Sequence, residues 1–320
     1  MTLRVLLHNS DTDPLEDALR RAFPDVSVTT CHSYTALPEA LEIAKPDIVY
    51  TVRFAGTDGY PRAALFGPNG PAWVSNGGAG TDHFGHWDPD RVTVTNAAGV
   101  AADMMAEYIM GAFLHHNLDL PGLMQDQEQR VWRQRTVKPL RGKTLVIVGM
   151  GQTGQALAAR AGAFGMVVCG TRAHPQPMHN CHEVVAPDGL LSLLPRADFI
   201  AVCTPLTEET RGLLGERAFR AIRRGAFLAN VSRGGVVDER ALFAALQDGR
   251  LAGAALDVFE TEPLPADDPL WNAPGVIISP HCSSVYDGWE MASFAMFLEN
   301  LNRWTHGQKL HNIVDPRRGY

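Results

Sequence analysis

The chain has 320 residues, 45 % of them hydrophobic and 20 % charged, and its 28 Lys and Arg against 35 Asp and Glu leave a formal charge of −7. This ordinary globular usage excludes a disordered tail, a collagen-like fibre and a coiled coil. The acidic excess argues against nucleic acid as a partner, because phosphate binding needs a concentrated basic surface.

At this length a single core is near its useful limit, so two domains are expected. The first residues, MTLRVLLHNSD, read as a β-strand rather than a signal peptide. No apolar run reaches the length needed to cross a bilayer, so no membrane partner is expected. Cys31, Cys169, Cys181, Cys203 and Cys282 are scattered without a C-x-x-C pair. Reduced thiols and a cytoplasmic location are the expectation.

In chain order, strands are predicted at Arg4–Leu7, Val26–Thr30, Asp47–Val52, Ala72–Ser75 and Arg91–Thr95. Leu15, Ala18, Leu19 and Ala22 recur at i, i+3, i+4, i+7 and place a helix after the first strand. A long helix is expected from Val100 to His116, then a polar stretch from Gln125 to Lys138. A second strand series follows at Thr144–Val148, Met166–Cys169, Phe199–Thr204, Ala226–Val231, Gly253–Val258 and Val276–Ser279. A last helix spans Trp289 to His306, with Phe294, Phe297, Leu298 and Leu301 on its apolar face. Strand–helix alternation of this kind predicts α/β architecture with parallel, doubly wound sheets.

The strand Thr144–Val148 runs into Gly149-Met-Gly151-Gln152-Thr153-Gly154 and then into a helical pattern. In such a G-x-G-x-x-G the first glycine permits a tight turn, the second lets the backbone approach a pyrophosphate, and the third allows close helix–strand packing. The helix N-terminus offers open N–H groups to the phosphates. About twenty residues on, an NAD site wants a carboxylate for the ribose hydroxyls. This chain has Thr171-Arg172 there. Arg172 would face a 2′-phosphate with Thr171 as hydroxyl donor, which favours NADP while leaving NAD possible.

Further blocks carry a family resemblance. Thr204-Pro205-Leu-Thr-Glu-Glu-Thr210, Asn230-Val231-Ser-Arg233-Gly-Gly-Val-Val-Asp238-Glu-Arg-Ala-Leu242, Asp257-Val-Phe-Glu-Thr-Glu262-Pro and Ser279-Pro-His281 resemble, in order and spacing, the D-isomer-specific 2-hydroxyacid dehydrogenases. Gly78-Ala79-Gly80-Thr-Asp82 and the Ala106-Glu107 pair fit as well, so the resemblance spans about residues 72 to 284. It implies two Rossmann-like domains with a cleft between them. Residues 1–98 and 287–320 would form the substrate-binding domain and 99–286 the dinucleotide-binding domain. The long helix commonly builds a homodimer interface in this family, a use for Met104, Met105, Ile109, Met110 and Phe113 unless they are core.

Reduction of a 2-keto acid needs a proton donor for the developing alkoxide and a cation for the carboxylate and carbonyl. Arg233 suits the second role through its planar fork. His281 suits the first, with Glu262 orienting its ring. By resemblance, Thr204, Pro205, Thr210, Val231, Asp257 and Ser283 would line the cofactor, with Asp257 accepting the nicotinamide carboxamide. The N–H groups of Ala79 and Gly80 would hold the substrate carboxylate, and Arg53 would sit in a substrate loop. Trp132 would reach a neighbouring subunit.

His174, His179, Cys181 and His182 cluster in one polar loop, but their spacing matches no ligand pattern and no metal is expected. Adjacent strand residues point to opposite faces, which argues against a Cys282–His281 nucleophile pair. The function implied is NADPH-dependent reduction of glyoxylate or hydroxypyruvate. The alternatives are an NAD-dependent 3-phosphoglycerate dehydrogenase-like enzyme and a non-enzymatic dinucleotide-sensing corepressor. A formate dehydrogenase is disfavoured, since that branch has Gln where this chain has Glu262.

Overall fold

A run such as Thr-Leu-Val-Ile-Val at residues 144–148 has no polar face to give to water, and such a strand is stable only between two layers of helices. The computed structural model, which describes residues 2–54 and 59–317, shows this layering twice. The chain divides into two compact units, one comprising residues up to Val100 and from Asp287 on, the other Ala101–Tyr286.

The first unit begins with β1 (Arg4–His8), α1 (Asp13–Ala22), β2 (Ser27–Cys31), α2 (Leu37–Ala44) and β3 (Ile48–Thr51). It continues through α3 (Arg62–Phe66), β4 (Trp73–Asn76) and β5 (Thr93–Asn96). All five strands pair in parallel, in the order β2-β1-β3-β4-β5. Val5 and Leu7 pack on one side with Leu15 and Leu19 of α1 and with Phe294, Phe297 and Leu301 of the last helix. Leu6 packs on the other side with Leu37, Leu41 and Leu65. The final segment covers the sheet edge: Val314 N–H donates to Val94 O at 2.9 Å, and Thr95 and Ile313 form an antiparallel bridge. No hydropathy pattern in the chain signals that protection of an edge strand.

The second unit opens with α4 (Ala102–Asn117) and α5 (Leu120–Glu128), then β6 (Thr144–Val148), α6 (Gln152–Ala163), β7 (Val167–Thr171) and β8 (Glu183–Val185). There follow α7 (Leu190–Leu193), β9 (Phe199–Val202), α8 (Glu216–Ala221), β10 (Ala226–Asn230), α9 (Glu239–Gln247), β11 (Leu251–Leu256) and β12 (Val276–Ile278). The last helix, α10 (Trp289–Thr305), returns to the first unit. The sheet order is β12-β11-β10-β9-β6-β7-β8. Leu145 and Ile147 face Ala106, Ile109 and Phe113 of α4 and Leu157 and Ala161 of α6, while Val146 and Val148 face Leu193, Phe219 and Leu242.

Three expectations change. Ile109, Met110 and Phe113 are buried against the sheet of their own unit, so these α4 residues are core and not an interface. The first residues of the polar stretch, 125–128, belong instead to the end of α5, which carries the exposed Leu123 and Met124, and the stretch leads on to the fully exposed Trp132. β8 was missed because three residues behind a His- and Pro-rich loop show no alternation to read.

Candidate active site

β10, β11 and β12 are neighbours in a parallel sheet, so the loops leaving their C-terminal ends emerge side by side. Arg233 follows β10, Asp257 and Glu262 follow β11, and His281 follows β12. Two contacts draw the first two loops together. Gly234 lies so close to the next loop that a Cβ there would collide with the Phe259 carbonyl and with Glu260 N. Glu239 Oε1 accepts the Glu260 N–H at 2.7 Å, and Asp238 caps α9 by accepting the N–H groups of Arg240 and Ala241. The Asp-Glu of the Arg233 block is thus a frame for the Glu262 loop. Burial pushes the Glu239 carboxyl pKa up.

Glu262 and His281 meet directly, Nδ1 to Oε2, at 2.7 Å. The other carboxylate oxygen of Glu262 accepts the Phe259 N–H at 3.0 Å. A carboxylate beside Nδ1 assigns the donor role in that pair to Nδ1, leaving Nε2 as the ring atom for chemistry. Both side chains are partly exposed. Arg233, also partly buried, donates from Nη1 to Ser232 O at 2.8 Å, and Asn230 Nδ2 donates to the Arg233 carbonyl at 3.3 Å.

His281 adopts φ +52°, left-handed backbone that side-chain-bearing residues enter at a cost. Its N–H donates to Asp257 O at 2.8 Å. Asp257 secures the turn from beneath. It is 0 % exposed, and its carboxylate accepts the Ser279 hydroxyl at 2.5 Å, the Cys282 N–H at 2.8 Å and the Ser283 N–H at 3.0 Å. Tyr108 of α4 joins this chain, its hydroxyl 2.7 Å from Ser279 Oγ. The carboxylate expected to accept the nicotinamide carboxamide is thus enclosed and already accepts from three donors. The Cys282 thiol is pushed up in pKa by burial and by Asp257, and the 281–282 segment is a turn rather than a strand.

The glycine loop sits where β6 and β9 part, the reversal point of the strand order. Gly149 has φ +101°, and a Cβ there would lie 2.6 Å from Thr204 N. At Gly151 a Cβ would meet nothing within 4 Å, and no side chain caps the start of α6. An open backbone face at an uncapped helix N-terminus fits a pyrophosphate. Gln152 is exposed, and the Thr153 hydroxyl lies 3.8 Å from Met105 Sδ. Thr171 differs from expectation. It is the last residue of β7, buried, and its hydroxyl accepts the Gly149 N–H at 3.2 Å, so it braces the glycine turn instead of presenting a donor outward. Arg172 is the first partly exposed residue beyond the strand, with Nη1 3.6 Å from Met178 Sδ.

The remaining cofactor candidates divide. Thr204 and Pro205 border the glycine turn or lie exposed beside it, whereas Thr210 spends its hydroxyl on Pro205 O at 2.6 Å. Val231 and Ser283 are buried. His182 Nδ1 accepts the Val168 N–H at 3.1 Å, and no group of three or more His, Cys, Asp or Glu among the described residues is placed to hold a metal.

In the first unit, Arg53 is exposed just after β3, and residues 55–58 lie outside the described residues. Ala79 is exposed after β4. Asn76 Nδ2 donates to Gly78 O at 2.9 Å and Gly80 O at 2.8 Å, and Asn96 Nδ2 donates to Ala79 O at 2.6 Å. The sequence reading missed Asn76, Asn96, Tyr108 and Ser279 as supports. Only Ser279 stood inside a block that had been singled out.

Comparison with known proteins agrees with this arrangement. The family described as D-isomer specific 2-hydroxyacid dehydrogenase, NAD binding domain, matches residues 110–283. A D-3-phosphoglycerate dehydrogenase of Methanocaldococcus jannaschii is 31 % identical over 95 % of this chain and 58 % of its own length. A glyoxylate reductase of Korarchaeum cryptofilum is 35 % identical over 70 % of this chain and 69 % of its own. The chain thus spans little more than half the length of the first relative. A crystal structure of a D-isomer specific 2-hydroxyacid dehydrogenase from Xanthobacter autotrophicus Py2, in complex with NADPH and MES, has 30 % identity and a TM-score of 0.86, each chain covered in full.

Proposed function

The chain belongs to the D-isomer-specific 2-hydroxyacid dehydrogenases, and from that premise we propose that it is an NADPH-preferring reductase of small 2-keto acids of the glyoxylate and hydroxypyruvate type, giving the D-2-hydroxy acid where a stereocentre forms. The observation that carries this reading is the His281–Glu262 pair at 2.7 Å, across the ends of β12 and β11, with Arg233 at the end of the next strand, β10. Reduced nicotinamide, when bound, supplies the hydride. His281 Nε2 gives its proton to the developing alkoxide, and Glu262 holds the ring and stabilises its charged form. Arg233 binds the substrate carboxylate and polarises the carbonyl through its fork.

We assign the second unit to the dinucleotide, with Gly149, Gly151 and Gly154 on the pyrophosphate. The first unit receives the substrate through Arg53 and the N–H groups of Ala79 and Gly80. Arg172, standing where an NAD site wants a carboxylate, supports NADPH, as does the NADPH bound by the Xanthobacter relative. Exposed Leu123, Met124, Val131 and Trp132 support a homodimer formed through α5 and the segment after it. The Methanocaldococcus relative favours a second reading as a 3-phosphoglycerate dehydrogenase, against which stands the missing carboxylate at Arg172.

A panel of 2-keto acids and 3-phosphohydroxypyruvate, each assayed with NADPH and NADH, decides among these. Turnover of glyoxylate or hydroxypyruvate with NADPH is expected. Turnover of the phosphorylated acid alone, with NADH, favours the second reading, and dinucleotide binding without any turnover favours a sensing corepressor.

A further inference from the structure

Gly78, Ala79 and Gly80 follow β4, and all three of their carbonyls are bound from inside the first unit. Asn76 takes those of Gly78 and Gly80, Asn96 takes that of Ala79, and the Ala97 N–H also donates to Gly78 O at 3.0 Å. A trans peptide sets the N–H of the following residue opposite to the carbonyl. With the carbonyls of 78 and 79 drawn inward, the N–H groups of Ala79 and Gly80 are turned the other way. Neither has a hydrogen-bond partner among the described residues.

Both asparagines are buried. Asn76 leaves its Oδ1 enclosed without a partner, a destabilising arrangement. That makes its two N–H donors, rather than its oxygen, the reason for asparagine at this position. Asn96 is itself fixed: its Oδ1 accepts the Ala98 N–H at 3.1 Å, and Asn312 Nδ2 donates to the carbonyls of Asn96 at 3.2 Å and Ala98 at 2.9 Å.

We propose that Asn76 and Asn96 are positioning residues which lock two successive peptide planes so that the N–H groups of Ala79 and Gly80 form a preset seat for one carboxylate of a small keto acid. The proposal rests on the reading that this chain takes a 2-keto acid, and names the side chains that build its carboxylate seat. Neither asparagine touches the substrate. Each acts through a carbonyl whose opposite end does. Because the seat is formed before substrate arrives, no reorganisation is left for the binding step.

The test uses oxalate, a planar dicarboxylate, as the equilibrium probe and the full chain with NADPH. Aspartate at 76 or 96 keeps the shape but faces the carbonyls with acceptors. In Asn96→Asp and Asn76→Asp the oxalate Kd is expected to rise about tenfold or more, a loss of about 1.4 kcal/mol per decade. The NADPH Kd should stay within about twofold, and the KM for glyoxylate should rise by more than kcat falls. An unchanged oxalate Kd in folded variants, or no oxalate binding by the wild type, overturns the proposal.

Should the variants fail to fold, amide hydrogen exchange in the wild type decides. The Ala79 and Gly80 amides should exchange freely and become protected by oxalate. Protection already present without ligand, or unaltered by it, overturns the seat. Absence of turnover with every keto acid refutes the reductase reading alone, since oxalate binding and exchange need no chemistry.

Discussion

Replacing Asp257 with asparagine separates two roles for an acidic side chain that sequence alone gives to the cofactor. In the structure the carboxylate is enclosed and accepts from Ser279 Oγ, Cys282 N–H and Ser283 N–H. Asparagine keeps the shape but has one acceptor oxygen. If that oxygen stays with Ser279 and Cys282, its NH2 faces the Ser283 N–H, donor against donor. The flipped amide abandons the other two. At least one charge-assisted bond, about 1.5–3 kcal/mol, is lost in either case, and a buried N–H left without an acceptor adds about 1–3 kcal/mol. Allowing for overlap, roughly 3–5 kcal/mol is expected, and at about 2–4 °C per kcal/mol for a unit of this size Tm should fall by roughly 6–20 °C. Calorimetry measures Tm, and fluorescence titration measures NADPH Kd. The same loss should lower kcat, because Asp257 fixes the residues on both sides of His281. A direct carboxamide acceptor makes the opposite pattern: Tm unmoved and NADPH weakened by about tenfold or more. That pattern would refute the role of Asp257 as the anchor of the His281 turn.

His281→Asn should lower kcat by about 10²–10⁴-fold while leaving NADPH binding intact, since it removes the proton donor; stopped-flow turnover and titration check both halves. Arg172→Asp should reverse a preference for NADPH of about ten- to hundredfold, the worth of one charge-assisted bond, and kcat/KM for both cofactors reads it directly. Arg135 ties the segment carrying Trp132 to α5, donating to Asp126 at 2.6 Å and to Asp119 at 2.6 Å, so Arg135→Ala should weaken the proposed dimer, as measured by sedimentation. His8 is fully buried, and burial lowers its pKa from 6.5 to about 4. Its folded pKa lies below the unfolded one, so its contribution is complete above about pH 6.5 and is lost as pH falls towards 4. Tm should drop across that window and drop less in His8→Asn.

The glycine loop and the Arg233, Glu262 and His281 blocks could be read from the chain because each is a short run whose residue types and order carry the signal. Side-chain direction could not be read. Thr171 looked like the first residue outside a strand, yet it pairs with Val148 and Val185, and this extra rung buries it. Met110 and Phe113 fit the helical period that was expected to serve an interface, and only the packed sheet shows them to be core. Asn76 and Asn96 end different strands, β4 and β5, and nothing in a one-dimensional pattern joins an asparagine to a carbonyl seventeen residues away. The parallel sheets were legible because β-branched and apolar runs such as Thr144–Val148 and Phe199–Val202 alternate with helical patterns. β8 was not, being three residues of half-buried edge.

The left-handed backbone at residue 281 decides which substitutions there can be interpreted. Glycine, asparagine and aspartate enter this region readily, whereas other side chains carry about 1–2 kcal/mol of steric cost. An alanine at 281 would remove the imidazole and leave the backbone at the same φ, held by the Asp257 anchors on either side, with the steric cost that histidine already bears. Asparagine removes the titratable ring and also relieves part of that backbone cost, a difference that Tm would register. The same constraint acts on natural variation: a chain drifting away from catalysis at this turn has glycine and asparagine as its least disruptive exits. Either residue in an otherwise intact relative would identify a protein that has kept the fold and abandoned the reaction.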